Sequence, residues 1–267
     1  MRRSVVRRMP VSKGGGLSHV DDRPLLLDLF CCEGVASGGY VSAGFRVMGV
    51  DLNPAHLARY PYDGVCGDAF AVGERLVREY PVRAVHMSPP CQGYASGTGT
   101  GSDAYPRLIG ECREFGEASG LPYVIENVEP AKREMRDPVM LCGSMFGLAS
   151  GEGERRWTLR RHRLFESTVE IPRPVDACRG IPTAQITGHL YAGRQENYRE
   201  ARKDWRRKFS VGEAREVMGA PWTSVRGITE AIPAAYTAHV GAALLAEVEG
   251  RSLVEGSGRS GDDEGLH

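Results

Sequence analysis

Between residues 24 and 127 the chain alternates short apolar runs with segments of helical pattern. Leu25-Leu26-Leu27-Asp28-Leu29-Phe30 is an apolar run of buried-strand length, followed by a Gly/Ser-rich turn and the segment Tyr40–Gly44. Phe45–Val50 is a second run, ending at Asp51, and Gly64–Asp68 a third, again ending in Asp. Val82–Ser88 is a fourth, stopped by Pro89-Pro90. After a helical stretch over Leu108–Ser119, Pro122–Ile125 is a fifth, ending at Glu126-Asn127. Continuous apolar strands alternating with helices predict an α/β fold: a mostly parallel sheet with helices on both faces. Ligands of such sheets sit outside the carboxyl ends of the strands. Those ends carry Phe30, Asp51, Asp68, Cys91 and Glu126, which are therefore expected to converge on one edge. A lone strand-end Asp is commonly a helix cap or turn former. Four polar or reactive ends in succession, after Phe30, ask for more than capping.

Past Arg163 the sheet pattern weakens. Residues 171–208 are polar and Arg-rich with no clear period. Ser210–Met218 reads as a helix stopped by Gly219 and Pro221, and Ala231–Leu253 as a closing helix. The chain thus divides into a flexible basic arm (1–23), a core (24–170), a small insertion (171–206), a segment returning to the core (207–253) and a Gly/Ser/Asp-rich tail (254–267) expected to be disordered.

Composition changes this picture little. Apolar residues make up 41% and charged residues 25%, an ordinary globular mixture, while 34 glycines and 16 prolines among 267 residues favour many short elements joined by loops. No run is long enough to span a membrane. The Arg-rich start lacks the apolar stretch of a signal peptide. The odd number of cysteines, seven, with no C-x-x-C pair, fits a reducing compartment and gives no spacing motif for a metal. The protein is expected to be cytoplasmic, metal-free and monomeric.

The charge is more informative when resolved along the chain. Lys plus Arg equals Asp plus Glu at 34 each, which excludes a uniformly basic nucleic-acid binder. Residues 155–208, however, hold 14 Lys/Arg against 6 Asp/Glu, a net +8 balanced by −8 elsewhere, with His189, Tyr191, Tyr198 and Trp205 interspersed. A solvated helix laced by i,i+4 pairs from Glu196, Glu200 and Asp204 accounts for such a stretch as well as a phosphate-contacting face does.

Two positions stand out chemically. Cys91 follows a rigid Pro-Pro pair at a strand end and precedes the glycine-rich loop Gly93–Gly101. The other cysteines read as small buried thiols. A fixed thiol beneath a loop free to move suits covalent catalysis. The loop lacks the G-K-[ST] ending of a phosphate-binding loop. Glu126 places a carboxylate at the next strand end, where a catalytic acid needs a partner within reach.

In this order the residues resemble the motifs of the DNA (cytosine-5) methyltransferase family over residues 25–245. Asp28-Leu29-Phe30 with Gly34 resembles its first cofactor motif, Gly49-Val50-Asp51 its ribose-holding acid, and Gly67-Asp68 its adenine-reading residue. Pro90-Cys91-Gln92 is similar to the nucleophile motif, Glu126-Asn127-Val128 to the catalytic glutamate motif, and Arg161-His162-Arg163-Leu164-Phe165 to the arginine motif. Phe209-Ser210 through Glu213, Gly219 and Pro221 resemble the ninth motif, and Ala231-Ile232-Pro233 with Gly241 the tenth. The linking sequence resembles small phage-encoded members.

The resemblance implies a Rossmann-like S-adenosylmethionine-dependent methyltransferase fold with a small target-recognition insertion. S-adenosylmethionine would be bound by Asp28, Phe30, Gly34, Asp51 and Asp68. Cys91, Glu126, Arg161 and Arg163 would form the catalytic set, acting on a cytosine flipped out of duplex DNA. Protection from restriction, self-marking of a phage or host genome and regulation all remain open as roles. Methylation of RNA or of a free cytosine nucleotide is the alternative substrate reading. A catalytically silent DNA-binding protein is the alternative of another class. Four departures from the family pattern stand out. Cys32 and Val35 occupy glycine positions, Leu159 a Gln position and Glu230 an Asn position. Only 43 residues separate Arg163 from Arg207, so a short or relaxed target is expected.

Overall fold

The computed structural model describes residues 21–94, 105–153, 156–175, 181–186 and 208–250. The arm before residue 21, the Gly93–Gly101 loop beyond Tyr94, most of the 171–206 insertion and the terminal tail lie outside the described residues.

The apolar runs become five parallel strands: β1 (Leu25–Leu29), β2 (Arg46–Asp51), β3 (Asp63–Cys66), β4 (Val82–Met87) and β5 (Tyr123–Val128). Their spatial order is β3-β2-β1-β4-β5, followed by β9 (Arg163–Ser167) and β6 (Val139–Leu141), with β9 antiparallel to both its neighbours. The chain leaves β1 toward β2 and β3 on one side and returns to β4 and β5 on the other. The topological switch point, where such sheets open a crevice, therefore lies between β1 and β4.

Because both faces of the sheet are covered, β1 has no polar face to spare, and all five of its residues are buried. On one side α1 (Val35–Ala43) and α7 (Ala234–Val248) enclose Leu26, Tyr40, Phe45, Val124, Tyr236 and Leu244. On the other, α3 (Ala69–Glu79) and α4 (Ile109–Ser119) enclose Leu27, Leu29, Leu76, Ile109, Phe115 and Ile125. Each such large side chain contributes roughly 1.5–3 kcal/mol relative to exposure. Helices α1 and α7 touch backbone to backbone. A side chain at Gly39 would overlap the Ala234 carbonyl and Thr237, and the Thr237 hydroxyl donates to the Ala36 carbonyl at 2.7 Å.

Three boundaries differ from the sequence expectation. β5 continues through Glu126 and Asn127 to Val128, because β9 supplies a partner there, Glu126 opposite Phe165 and Val128 opposite Arg163. The weakening pattern past Arg163 hides β9 itself. Its Glu166 is buried (4% exposed) and held by Arg113, whose Nε and Nη2 donate to the two carboxylate oxygens at 2.7 and 2.8 Å. The closing helix begins at Ala234 rather than Ala231, since Pro233, with ψ 131°, is extended; the shorter α6 (Val225–Glu230) precedes it.

A second, three-stranded sheet has the order β10 (Thr183–Ala184), β8 (Trp157–Leu159), β7 (Ala149–Ser150). It draws strands from both sides of residue 171 and packs with α5 (Val211–Met218) and α6 around Leu159, Ile186, Phe209, Met218 and Ile228. Among the described residues no helix is long and apolar enough to cross a membrane.

Candidate active site

The edge of the crevice starts with the loop that follows β1. Phe30, Cys32 and Gly34 all have left-handed backbone, with φ of 65°, 49° and 84°. Cys32 thus keeps the turn expected of a glycine at its position, and its N–H donates to Asp51 Oδ2 at 2.9 Å. Gly34 opens α1 above the buried ring of Tyr60, where an added Cβ would lie 2.7 Å from Cδ2. The Tyr60 hydroxyl is 2.8 Å from Ser37 Oγ, which donates in turn to the buried carboxylate of Asp28. Gly34→Ala combines a left-handed penalty of about 1–2 kcal/mol with displacement of that ring. The expected outcome is a loss of at least 2 kcal/mol, read as a fall in Tm of roughly 4–8 °C.

The five residues assigned to the cofactor hold different positions. Asp51, in the last place of β2, accepts from Asn53 N–H at 2.8 Å through Oδ1 and lies 3.1 Å from His56 Nδ1. His56 belongs to α2 (Pro54–Leu57). Asp68 caps α3 by accepting from Ala71 N–H at 2.9 Å and remains exposed. Phe30 packs edge to face on Phe70, their centroids 5.7 Å apart. Asp28 lies behind the edge, inside the core. Its burial lifts the carboxyl to about 7 against the opposing bond from Ser37.

Cys91 follows β4 across Ser88-Pro89-Pro90. Asn127 fixes this turn from the neighbouring strand, donating from Nδ2 to the Pro89 carbonyl at 3.1 Å. Next to it on β5 stands Glu126, 5% exposed. Arg163 Nε lies 3.0 Å from Glu126 Oε1 without a hydrogen-bond alignment, so this oxygen has no donor among the described residues. Burial raises the Glu126 carboxyl to about 7, moderated by Arg163 and Arg161. Burial likewise lifts the Cys91 thiol above its ordinary value, while the two guanidinium groups pull it down and Glu126 pushes it up. Cys91, Glu126 and Arg163 therefore share one electrostatic site at the ends of adjacent strands.

Arg161 is used differently. It is 6% exposed and donates to three backbone carbonyls: Ala231 at 3.0 Å, Ile186 at 2.8 Å and Thr229 at 2.8 Å. Its own carbonyl accepts from the Tyr236 hydroxyl at 2.7 Å. The side chain ties the returning C-terminal segment to the core. Arg161→Ala strands two buried acceptors and a half-buried one and is expected to cost about 3 kcal/mol. Arg163→Ala, by contrast, strands one carbonyl and leaves Glu126 to take up a proton in place of its cation, so it is expected to lose activity at a smaller cost in Tm. Parallel melting curves and turnover assays distinguish the two arginines.

Two polar clusters here escape sequence reasoning. The Glu33 carboxylate accepts from both the N–H and the hydroxyl of Ser224 at 2.6 Å, and its carbonyl accepts from Trp222 Nε1 at 2.8 Å, stapling the β1 loop to the start of α6. Nothing in the sequence links partners 191 residues apart. Beside the arginines, His162 Nδ1 lies 3.0 Å from Glu129 Oε2. Hydrogen bonds to Cys142 first, then Glu129, raise the imidazole to about 9. Burial works against the Cys142 thiolate, but bonds from His162 and Ser144 bring it down to about 7.

No protein-family model and no curated protein matches the chain. Solved structures do. The methyltransferase EhMeth of Entamoeba histolytica aligns with a TM-score of 0.54 at 12% identity, over 85% of this chain and 99% of that one. The Dnmt2 methyltransferase of S. pombe aligns with a TM-score of 0.51 at 14% identity, over 84% and 98%. A DNMT2 mutant from Spodoptera frugiperda aligns with a TM-score of 0.51 at 14% identity, over 83% and 99%. Matching these proteins over nearly their whole length, and built on a mostly parallel sheet, the chain has the Rossmann-like methyltransferase fold.

Proposed function

We propose that the protein transfers a methyl group from S-adenosylmethionine to carbon 5 of cytosine in DNA, through a covalent adduct at Cys91. The observation that carries this reading is the meeting of Cys91, Glu126 and Arg163 beside the switch point of a methyltransferase fold.

The edge along β1, β2 and β3 fits the cofactor. The left-handed loop at Phe30–Gly34 gives close backbone approach, Asp51 has the chemistry to accept from a ribose diol, and Asp68 is placed to read an adenine. Leu52, 74% exposed beside Asp51, offers an apolar face to a planar ring. When bound, S-adenosylmethionine supplies an electrophilic methyl group.

Carbon 5 of cytosine is a weak nucleophile until a group adds to carbon 6. The Cys91 thiolate forms that carbon–sulfur bond, and the ring electrons shift toward carbon 5 and nitrogen 3. Glu126, whose buried Oε1 has no hydrogen-bond partner among the described residues, donates its proton at nitrogen 3 as charge builds there. Arg163 holds the carboxyl group and the base. Once carbon 5 carries the methyl group its proton passes to solvent water. The electrons of that bond form the carbon 5–carbon 6 double bond as the carbon–sulfur bond breaks and Cys91 leaves as thiolate. Nitrogen 3 returns its proton to Glu126. A cytosine stacked in a duplex cannot reach this crevice, so the base must be flipped. The net +8 over residues 155–208 of the sequence supports a phosphate-contacting role for that stretch.

The test is radiolabelled methyl transfer to duplex DNA, transfer RNA and free cytidine nucleotides in parallel. Label in DNA alone, located at carbon 5 by digestion, is the expected result. Label in RNA or nucleotide alone would move the substrate while keeping the chemistry, and label in none of the three would remove the activity.

A further inference from the structure

Two departures from the family pattern meet in space. Cys32, at a glycine position, sits in the loop after β1, and Glu230, at an asparagine position, ends α6. His56 of α2 joins them. One ligand atom from each residue, thiol sulfur, imidazole nitrogen and carboxylate oxygen, lies within 4.8 Å of the other two. Cys32 and His56 are half-buried and Glu230 is exposed, so the cluster is open on one side.

We propose that Cys32, His56 and Glu230 bind a thiophilic divalent cation of the zinc class. Sulfur, imidazole and carboxylate together form a zinc donor set, whereas magnesium and calcium take oxygen ligands. Bond lengths of about 2.0–2.3 Å around a tetrahedral ion place its ligand atoms roughly 3.3–3.7 Å apart. With its ligand atoms within 4.8 Å of one another, the cluster would have to tighten around the ion to reach that spacing. His56 already has a carboxylate partner on one ring nitrogen. Its Nδ1 lies 3.1 Å from Asp51 Oδ1, which leaves the Nε2 lone pair for a metal, the arrangement that fixes tautomer and ring direction in histidine-ligated sites. Asp51 is itself braced by the N–H groups of Cys32 and Asn53. Glu230 uses Oε1 to accept from Arg226 Nε at 2.9 Å and keeps its second oxygen. Three protein ligands leave a fourth position for water or another ligand.

The expectation of a metal-free protein rested on the lack of a C-x-x-C pair. These ligands come from three distant segments and therefore have no spacing motif. A bound cation would clip the β1 loop, α2 and α6 together at the edge assigned to the cofactor.

Chelator-treated full-length protein titrated with Co²⁺ tests the site through absorbance, with no need for methyl transfer. The expected result is one cobalt per chain, with a thiolate-to-cobalt charge-transfer band that Zn²⁺ abolishes. Cys32→Ser should remove the band, and His56→Gln and Glu230→Gln should weaken binding at least tenfold. Asp51→Asn should weaken it by about 10–100-fold. Glu230 is exposed, so Glu230→Gln should melt as the wild type does and separates lost ligation from lost fold. Absence of the band, its survival in Cys32→Ser, or unchanged affinity in both His56→Gln and Glu230→Gln would overturn the proposal.

Discussion

Cys91→Ala is expected to lower methyl transfer by at least about 10³-fold while S-adenosylmethionine binds within a few-fold of wild type. The asymmetry follows from where the residue sits. The edge proposed for the cofactor comprises the loop after β1 and the ends of β2 and β3, whereas Cys91 belongs to the turn after β4, held by Pro89-Pro90 and the Asn127 bond to Pro89. Removing one sulfur from a half-buried position leaves that backbone turn intact, so the fold should persist. Without the thiol, carbon 5 never becomes nucleophilic, and the remaining groups have nothing to assist. Calorimetric cofactor binding and tritiated methyl transfer on the same preparation measure both halves. A duplex carrying 5-fluorocytosine adds a direct view of the adduct. Expulsion of the thiolate requires loss of a proton from carbon 5, and fluorine cannot leave as a cation. The wild type should therefore be trapped on this duplex in a denaturation-resistant complex that Cys91→Ala does not form. Turnover within tenfold of wild type in the variant would falsify the covalent route.

What could be read from the sequence divides along physical lines. Strands β1 to β5 were legible because a strand buried on both faces is an uninterrupted apolar run, and nearly all such runs here end in a chemically distinctive residue. β9 was not, because Arg163 and Glu166 interrupt its pattern. Glu166 is tolerated inside only because Arg113 on α4 neutralises it, a contact between residues 53 apart. Cys91, Glu126 and Arg163 were visible as an ordered set of motifs, and the fold puts them at the ends of neighbouring strands. Arg161 looked identical to Arg163 in that motif. Their difference lies in partners: three carbonyls of the segments that return to the core for one, the Glu126 carboxylate and the adjacent His162 carbonyl for the other. Cys32 read as the loss of a glycine, yet the backbone at φ 49° is the one a glycine would adopt, so the substitution changed the side chain and kept the path. The pairing of Glu33 with Ser224, and of Cys142 with His162, depends on tertiary contacts for which local sequence carries no signal.

Glu126→Gln is expected to reduce turnover by about 10²–10⁴-fold and to erase a step in the pH profile. In the wild type the reactive arrangement is thiolate at Cys91 and carboxylic acid at Glu126, which together hold one proton. Burial sets the Glu126 carboxyl near 7 and lifts the Cys91 thiol above its ordinary value. Between those two values the pair also holds one proton, placed mostly on sulfur, and the reactive arrangement is a constant minor fraction of that population. kcat/KM should therefore be level with pH above about 7. Below it, Glu126 takes up a second proton in the dominant form, and kcat/KM should fall about tenfold per pH unit. Glutamine cannot take up that proton. In the variant the only remaining ionisation is that of Cys91, so kcat/KM should keep rising with pH through 7 until the thiol itself ionises, with no inflection near 7. The missing carboxylate also removes one of the charges that pushes the Cys91 thiol up, so the variant's single ionisation should lie below that of the wild-type thiol. Profiles of kcat/KM from pH 5.5 upward for both proteins, on the same duplex, decide the matter. An inflection near 7 that survives in Glu126→Gln would assign it to another group, with the imidazole–thiol pair of His162 and Cys142 the first to test by His162→Gln.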